Sequence, residues 1–396
     1  MVVVGGGCAA AAGGCGRTID TMSAYLDHAA SSPLRPEALD AMLPWFTEHH
    51  ANPTAAHRRG RQARQALDDA RAILAEATGF ERGDIVFTGG GTESDNLAVG
   101  RTHAPGTIVV GATEHPAVLE PAVRQGARVV HPDGNGRIDE TAVLTHVDDT
   151  TELVTVMAVN NETGVIQPLD RIAAAVHERN PSTVVHTDAV QALPWLDLPV
   201  DAAGVDLMSI TGHKLGGPQG VGAIAVRDGR MPEPMLVGGG QERDRRAGTQ
   251  NVAGIVGFAA AVQAAMHDRE ERLARIDRLA TRLHEGLAAR IDGVRPTVPR
   301  DVRVPGIVHL CVPGVQSEPL LFLLDEQGLA CSAASSCASG AQGASHVLTA
   351  MGLDTTDLAP LRLSLGWSTT DDDIDVALEL IPAAVERIRG HGGSHG

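Results

Sequence analysis

Val205-Asp-Leu-Met-Ser-Ile-Thr-Gly-His-Lys-Leu-Gly-Gly-Pro218 runs from an apolar segment into a lysine and then into a glycine turn. Residues 205–210 read as a buried strand, and Gly216-Gly217-Pro218 closes it with turn-forming residues. Lys214 therefore stands at a strand's exit, between a hydroxyl, an imidazole and a turn. Only 32 of the 396 residues are Lys or Arg, so a lysine here is a sparing use of charge. An amine so placed is suited to hold a carbonyl as a Schiff base. A loop lysine paired with a surface acid fits the same segment, and the rest of the chain has to decide between them.

On both sides of this stretch, apolar runs alternate with helical patterns from about residue 36 to 258. Residues 84–88, 107–110, 128–130, 153–159, 183–186, 206–210 and 222–226 read as strands, with amphipathic stretches such as 61–78 and 169–179 between them. Such alternation implies a mostly parallel sheet covered on both faces. A long helical pattern over 252–289, crowded with charge at 269–278, leads to a smaller unit after Pro296. There, 306–312 and 361–365 read as strands, and 318–327, 344–351 and 371–389 as helices. The expected fold class is α/β: a mostly parallel seven-stranded sheet in a large domain over 36–263, plus a smaller α+β domain built from 22–35 and 264–390.

The acids outnumber the bases by 49 to 32, a formal charge of −17, which argues against nucleic acid as the main ligand because phosphate backbones are bound through basic surfaces. No run of 18 apolar residues marks a membrane span. Five cysteines, Cys8, Cys15, Cys311, Cys331 and Cys337, without a C-x-x-C pair suit neither a disulfide framework nor a structural zinc site, so no metal is expected and a reducing cytoplasm is the default. Val2-Val-Val-Gly-Gly-Gly-Cys-Ala-Ala-Ala10 imitates a dinucleotide fingerprint, but Gly13, Gly14 and Gly16 interrupt the helix that fingerprint requires. Residues 1–21 are therefore read as a disordered extension and 391–396 as a disordered tail.

Four polar clusters fall at the ends of the expected strands, where ligands of such sheets sit. Phe87-Thr-Gly-Gly-Gly-Thr-Glu-Ser-Asp-Asn-Leu97 passes from strand to glycine turn to helix, and Gly91 and Thr92 would offer N–H and hydroxyl donors to a phosphate. An ordinary capped helix fits as well. Thr183-Val-Val-His-Thr-Asp-Ala-Val-Gln191 puts Asp188 where a carboxylate could meet a protonated ring nitrogen, or cap the next element. Val159-Asn-Asn-Glu-Thr-Gly164 suggests a lined pocket or a turn. Thr113-Glu-His-Pro116 offers His115, a ring able to stack on a cofactor or shuttle a proton.

With these residues in place, the chain resembles the pyridoxal-phosphate cysteine desulfurases, the class V branch of the aspartate-aminotransferase (fold-type I) enzymes. The resemblance runs from Tyr25-Leu-Asp-His-Ala-Ala30 to about Asp375. It includes Asn52-Pro53 with His57, Gly238-Gly-Gly-Gln-Glu-Arg243, Arg246 to Thr249, Ser345-His-Val-Leu348 and Leu361-Arg-Leu-Ser-Leu-Gly366. The resemblance implies pyridoxal 5'-phosphate held covalently by Lys214, its phosphate by Gly91, Thr92, Thr211 and His213, with Thr249 reaching the cofactor of a partner subunit in a homodimer. His115 would stack on the ring, Asp188 meet its nitrogen and Gln191 its phenolic oxygen. Asn161 and Arg362 would receive the carboxylate of L-cysteine.

The same resemblance makes Cys337 the sulfur-accepting nucleophile, in the small-residue stretch Gly328-Leu-Ala-Cys-Ser-Ala-Ala-Ser-Ser-Cys-Ala-Ser-Gly-Ala-Gln342. The family's usual Ser-Gly-Ser-Ala-Cys becomes Ala-Ala-Ser-Ser-Cys here, which exchanges a glycine for alanine. Cys331 is a nearby rival read as structural, and Cys311 is read as core. Eight residues separate Cys337 from His346, a spacing of the subgroup that hands sulfur to a separate acceptor, an iron–sulfur scaffold or a tRNA-thiolation enzyme. A selenocysteine lyase or another class V enzyme would share everything except the role of Cys337, and a non-catalytic scaffold would keep the fold alone.

Overall fold

The computed structural model describes residues 23–333 and 345–392, apart from residues 101, 103 and 228. The expected N-terminal extension, the last residues of the tail and Cys337 lie outside the described residues.

The chain enters through a two-residue strand, β1 (Ala24–Tyr25), and two helices, α1 (Pro36–Thr47) and α2 (Arg58–Thr78). Strand–helix alternation follows: β2 (Ile85–Thr88), α3 (Gly91–Val99), β3 (Ile108–Gly111), α4 (Pro116–Arg124), β4 (Arg128–Val130), α5 (Glu140–Leu144), β5 (Leu153–Thr155), α6 (Leu169–Arg179), β6 (Val184–Asp188), α7 (Leu198–Asp201), β7 (Leu207–Thr211) and β8 (Gly222–Val226). Seven strands form one sheet in the order β2-β8-β7-β6-β5-β3-β4. From β7 to β4 all neighbours are parallel, and β8 runs antiparallel to both β7 and β2. The mostly parallel seven-stranded sheet is as the sequence led us to expect.

Side chains alternate across this sheet. Ile85, Phe87, Val109, Val154, Val185 and Met208 pack into the larger apolar core, while Val86, Ile108, Val110, Leu153, Val184 and Leu207 pack into a second core on the opposite face. Both faces are thus covered, as parallel sheets require, and the strands read as continuous Val/Ile/Leu runs for that reason. With aromatics at 2% of the sequence, aliphatic side chains do nearly all of the filling.

After β8 come α8 (Val252–His267) and α9 (Arg269–Ala288). The single helical pattern expected over 252–289 is two helices. The break falls at Asp268, whose backbone leaves the helical region (φ −91°, ψ 8°) and whose carboxylate pairs with Arg35 at 3.1 Å and Arg272 at 2.9 Å. Two buried guanidiniums need that carboxylate more than the helix needs continuity. The remaining elements are β9 (Arg295–Pro296), β10 (Ile307–Pro313), α10 (Ser317–Glu326), β11 (Leu329–Ala330), α11 (His346–Ala350), β12 (Leu358–Ser364) and α12 (Asp371–Gly392). Strands β12, β10 and β9 form an antiparallel sheet, and β1 pairs with β11 in parallel. Bridges Asp27–Ser364 and Ser332–Arg362 tie the two small sheets together. Residues 24–27 are therefore held by C-terminal elements, and residues 29–35 reach from there to the lysine turn. Among the described residues no helix is long and apolar enough to cross a membrane.

One expected strand is shorter than the apolar run suggests. Residues 153–159 were expected to be extended throughout, yet β5 stops at Thr155. Val156 and Ala158 still donate to the His186 and Asp188 carbonyls of β6, but the N–H of Met157 donates to the Glu114 carboxylate at 2.6 Å where a further strand bond would fall. A buried acid has captured a backbone donor that the sheet would otherwise use.

Candidate active site

The carboxyl ends of β6 and β7 and the start of α3 open onto a cavity of about 460 Å³. Lys214, Asp188, Gln191, His115, Asn161 and Arg362 all line it, and so do Gly91, Thr92, Thr211 and His213. Ten residues spread from position 91 to position 362 are thereby brought together. Thr249 is exposed and does not line this cavity.

Lys214 follows β7 by three residues and is held from the N-terminal segment. Ser32 grips its backbone: the Ser32 hydroxyl donates to the Lys214 carbonyl at 3.0 Å, and the Ser32 N–H donates to the His213 carbonyl at 2.8 Å. Arg35 donates from Nε to the Leu215 carbonyl at 3.0 Å. Gly216 adopts φ +94°, and a Cβ there would lie 2.5 Å from Arg35 Cγ and 2.9 Å from the Trp367 indole nitrogen. Only glycine fits both the left-handed turn and that packing. Nζ donates to the carbonyls of Ala29 and Ala30 at 2.7 and 2.8 Å. Lys214 is also the only lysine in the sequence, so no other side-chain amine exists to share its chemistry.

Three carboxyl groups converge beneath it. Asp188 is buried at the end of β6 and accepts from the Val190 N–H at 2.9 Å, the local turn bond that the sequence left open as its alternative use. Burial raises its pKa, opposed by the Val190 N–H and by the charges of His115 and Lys214. Asp95, on α3, is raised further by burial and by the proximity of Asp188, and its Oδ1 has no hydrogen-bond partner among the described residues. Burial pushes Glu114 up to about 8. The dry site thus favours the protonated acids, and a cation brought beside Asp188 would favour its ionised form instead. His115 does not supply one, because burial is the main cause holding its pKa below the usual value. Its Nδ1 accepts from the Ala117 N–H at 3.1 Å as the cap of α4, which leaves the proton of the neutral ring on Nε2.

The Glu114 shift has a measurable consequence. Its carboxyl is protonated in the fold up to about pH 8 but ionises from 4.5 upward in the unfolded chain. The folded state then binds more protons in that window, so stability falls as pH rises through it. Glu114→Gln, which mimics the protonated acid and keeps the bond from Met157, is expected to flatten the decline. Denaturant midpoints of both proteins at pH 5 and pH 8 check this, and parallel slopes would contradict it.

A second recess of about 560 Å³ adjoins the first, lined by Gly89, Gly90, Gly91 and Thr92 at the head of α3 and by Thr211 and His213. Backbone N–H groups at the head of this nine-residue helix face an opening with room for an anion. Gly222 makes the recess possible, since a Cβ there would stand 2.8 Å from the Gly90 backbone. Glu93, which also lines the recess, braces the turn by accepting from the Gly89 N–H at 2.7 Å and from Arg246 at 2.8 Å.

At the other end, Arg362 on β12 is buried and held twice. It donates to the Asn161 carbonyl at 2.8 Å and to the Asp27 carboxylate at 2.8 Å. Asn160 makes the turn the sequence allowed for, its side chain accepting from the N–H groups of Glu162 and Thr163 at 3.0 and 2.9 Å; Asn161, one residue on, lines the cavity. Cys331 also lines it, but burial, with Asp27 and Asp325, pushes its thiol up to about 12. That thiol stays protonated at neutral pH and is a poor nucleophile. Cys311 is buried in β10, as expected.

The residues present fit pyridoxal 5'-phosphate: one amine, a buried Asp188 whose ionised form a protonated ring nitrogen would stabilise, and an N–H-lined recess for phosphate at the right end of the sheet. Sequence reading missed Asp95, Glu114, Asp27 and the Ala29 and Ala30 carbonyls. Asp95 carried a signal, an acid on the inward face of the helix that follows the glycine turn. The others act through tertiary position alone.

The model of the family described as aminotransferase class-V matches residues 24–377. An IscS-like cysteine desulfurase from Mycobacterium tuberculosis is 40% identical over 384 residues, spanning 92% of this chain and 97% of its own. Among solved structures, a NifS-like protein superposes with a TM-score of 0.85 at 31% identity, covering 92% of this chain and all (100%) of its own. A structure titled SspA in complex with cysteine gives a TM-score of 0.77 at 30% identity, over 88% and 100%.

Proposed function

This chain belongs to the class-V aminotransferase family and, with its relatives, to the cysteine desulfurases; on that footing we propose that it takes sulfur from L-cysteine with pyridoxal 5'-phosphate bound at Lys214, leaving L-alanine. The observation that carries the reading is the meeting of the sequence's only lysine, the buried Asp188 and the buried Arg362 in one cavity.

When bound, the cofactor supplies an aldehyde that condenses with amines and a ring that draws electrons from the substrate α-carbon. The protein's residues do the rest. Gly91, Thr92, Thr211 and His213 would hold the phosphate. Gln191, which donates to the Ala29 carbonyl at 2.7 Å, would serve the phenolic oxygen. Asp188 would keep a proton at the ring nitrogen, and the neutral imidazole of His115 would pack against the ring. Asn161 and Arg362 bind the substrate carboxylate, for which a guanidinium fork is the best match. Lys214 Nζ would be the base that takes the substrate α-proton.

Cys337 then attacks the substrate sulfur as a thiolate. A sulfur–sulfur bond forms, the substrate's carbon–sulfur bond breaks, and the carbon keeps the electron pair and is protonated on the way to L-alanine. Before Cys337 in the chain, Ser332 lines the cavity; after it, the Ser345 hydroxyl donates to the buried Glu162 at 2.5 Å. The high pKa of Cys331 supports Cys337 over its rival. The persulfide would pass to a separate acceptor protein in a reducing cytoplasm.

A homodimer is part of the proposal. Helix α1 exposes Leu39, Leu43 and Phe46, the last at 63%, and the loop before Thr249 exposes Met235 and Val237. An apolar stripe of this kind is suited to a partner subunit, whose cofactor Thr249 would then reach.

Cys337→Ser is expected to abolish alanine formation from L-cysteine while leaving the visible absorbance of the bound cofactor in place. Mass spectrometry of the wild type after brief exposure to L-cysteine should show one added sulfur on the Cys337 peptide. Undiminished turnover in the serine variant would point instead to a lyase that needs no cysteine nucleophile.

A further inference from the structure

Among the described residues that line the recess at the head of α3 there is no lysine or arginine, and the one side chain there with a full charge is a carboxylate, Glu93. His213 adds no cation, because burial, with the charge of Lys214, pushes its pKa down to about 4. A phosphate dianion entering this recess would meet backbone N–H groups, hydroxyls and one like charge. Arg246, which does not line the recess, answers that charge. Its Nε donates to Glu93 Oε1 at 2.8 Å and its Nη2 to Oε2 at 3.2 Å, the two-pronged match of a guanidinium to a carboxylate. A Cβ on Gly89 would lie 2.8 Å from Glu93 Oε2 and 4.0 Å from Arg246 Nη2, so the pair sits against the glycine turn itself. The segment that carries Arg246 is firmly held. Glu242, Arg243 and Asp244 take φ of 50°, 58° and 63°, a left-handed conformation that non-glycine residues keep only where contacts enforce it. The buried Glu242 carboxylate supplies them, accepting from Arg71 at 2.6 and 2.7 Å, from Gln250 at 3.2 Å and from the Phe87 N–H at 3.1 Å. Phe87 belongs to β2, the strand that leads into the glycine turn, so turn and segment share one footing.

We propose that Arg246 is a positioning residue for the cofactor phosphate: by pairing with Glu93 it cancels the one like charge on the recess and leaves that carboxylate bound to the Gly89 N–H. This rests on the reading that Gly91, Thr92, Thr211 and His213 hold that phosphate. A carboxylate alone would repel the dianion, whereas an ion pair presents it with no net charge. Glu93 has its own use at this place. Its Oε2 accepts from the Gly89 N–H at 2.7 Å, and an acid in the first turn suits the positive end of the helix. The pairing therefore keeps the brace of the turn and removes its repulsion. The hydrogen bond to Glu93 holds the Arg246 pKa above its already high ordinary value, so the guanidinium stays charged throughout the working range.

The test separates the phosphate from the rest of the cofactor by comparing pyridoxal 5'-phosphate with pyridoxal, each titrated into the full chain stripped of cofactor and followed by visible absorbance. Arg246→Gln, which keeps a donor for Glu93 but drops the charge, is expected to weaken pyridoxal 5'-phosphate by about tenfold and leave pyridoxal unchanged, the scale of one charge–charge interaction near a protein surface. Glu93→Gln keeps an acceptor for the Gly89 N–H without a charge, and should bind the phosphate form at least as tightly as wild type. Joining the two substitutions should return the phosphate form to within about threefold of wild type, because neither charge is then present. If Arg246→Gln weakens both ligands alike or neither, or if the double variant stays as weak as Arg246→Gln, the Arg246 inference is wrong and the phosphate reading stands. If the wild type binds the two forms equally well, the recess takes no phosphate and both are wrong.

Discussion

Lys214→Ala is expected to lower L-cysteine turnover by at least about 10³-fold, the scale set by losing a positioned acid–base group, and to release the cofactor from covalent attachment. Two features make the effect large. Nζ is already fixed by two backbone carbonyls, and the turn that presents it is braced by Ser32, Arg35 and the packing of Gly216, so little rearrangement is needed at the moment of proton transfer. The sequence also holds no second lysine to substitute for it. Lys214→Arg should fare no better, because a guanidinium stays charged and can neither condense with an aldehyde nor accept a proton. Steady-state rates with each variant, measured at saturating cofactor, decide it. A variant within tenfold of wild type would remove Lys214 from the chemistry.

Asp188→Asn is the second large effect, expected to lower kcat by about 10²–10³-fold, as for other electrostatic groups aimed at developing charge. The amide keeps the turn bond from Val190 but cannot hold a proton on a ring nitrogen, so the site loses its electron sink while keeping its shape. Asp95 and Glu114 do not replace it: burial raises all three acids, but it is Asp188 on which the charges of His115 and Lys214 act against that rise. Cofactor content should remain near that of wild type. The informative comparison is kcat per bound cofactor, and a fall explained wholly by lost cofactor would count against a role in the reaction.

Much of this site was legible in the sequence because parallel sheets bury both faces and present ligands at strand ends. The apolar runs around Asp188 and Lys214 therefore gave both the strands and the positions worth attention. The glycine turn before Thr92 was equally plain, since a helix that starts at the end of a glycine triplet announces its exposed N–H groups. Events that depend on distant partners were not legible. The split at Asp268 follows from Arg35, more than two hundred positions upstream, and the early end of β5 follows from Glu114. Neither helical periodicity nor strand alternation records such captures. The pairing of Glu93 with Arg246 likewise exists only once the segment after β8 lies against the head of α3.

The account stands most directly on an imine bond between Lys214 and pyridoxal 5'-phosphate, and reduction with sodium borohydride followed by peptide mass spectrometry tests it. Because the sequence has a single lysine, the reduced cofactor has one side-chain amine to occupy. The account predicts one pyridoxyl group per chain, on the peptide that contains Lys214, with loss of the visible absorbance band. Cofactor-containing protein whose Lys214 peptide emerges unmodified after reduction would contradict it.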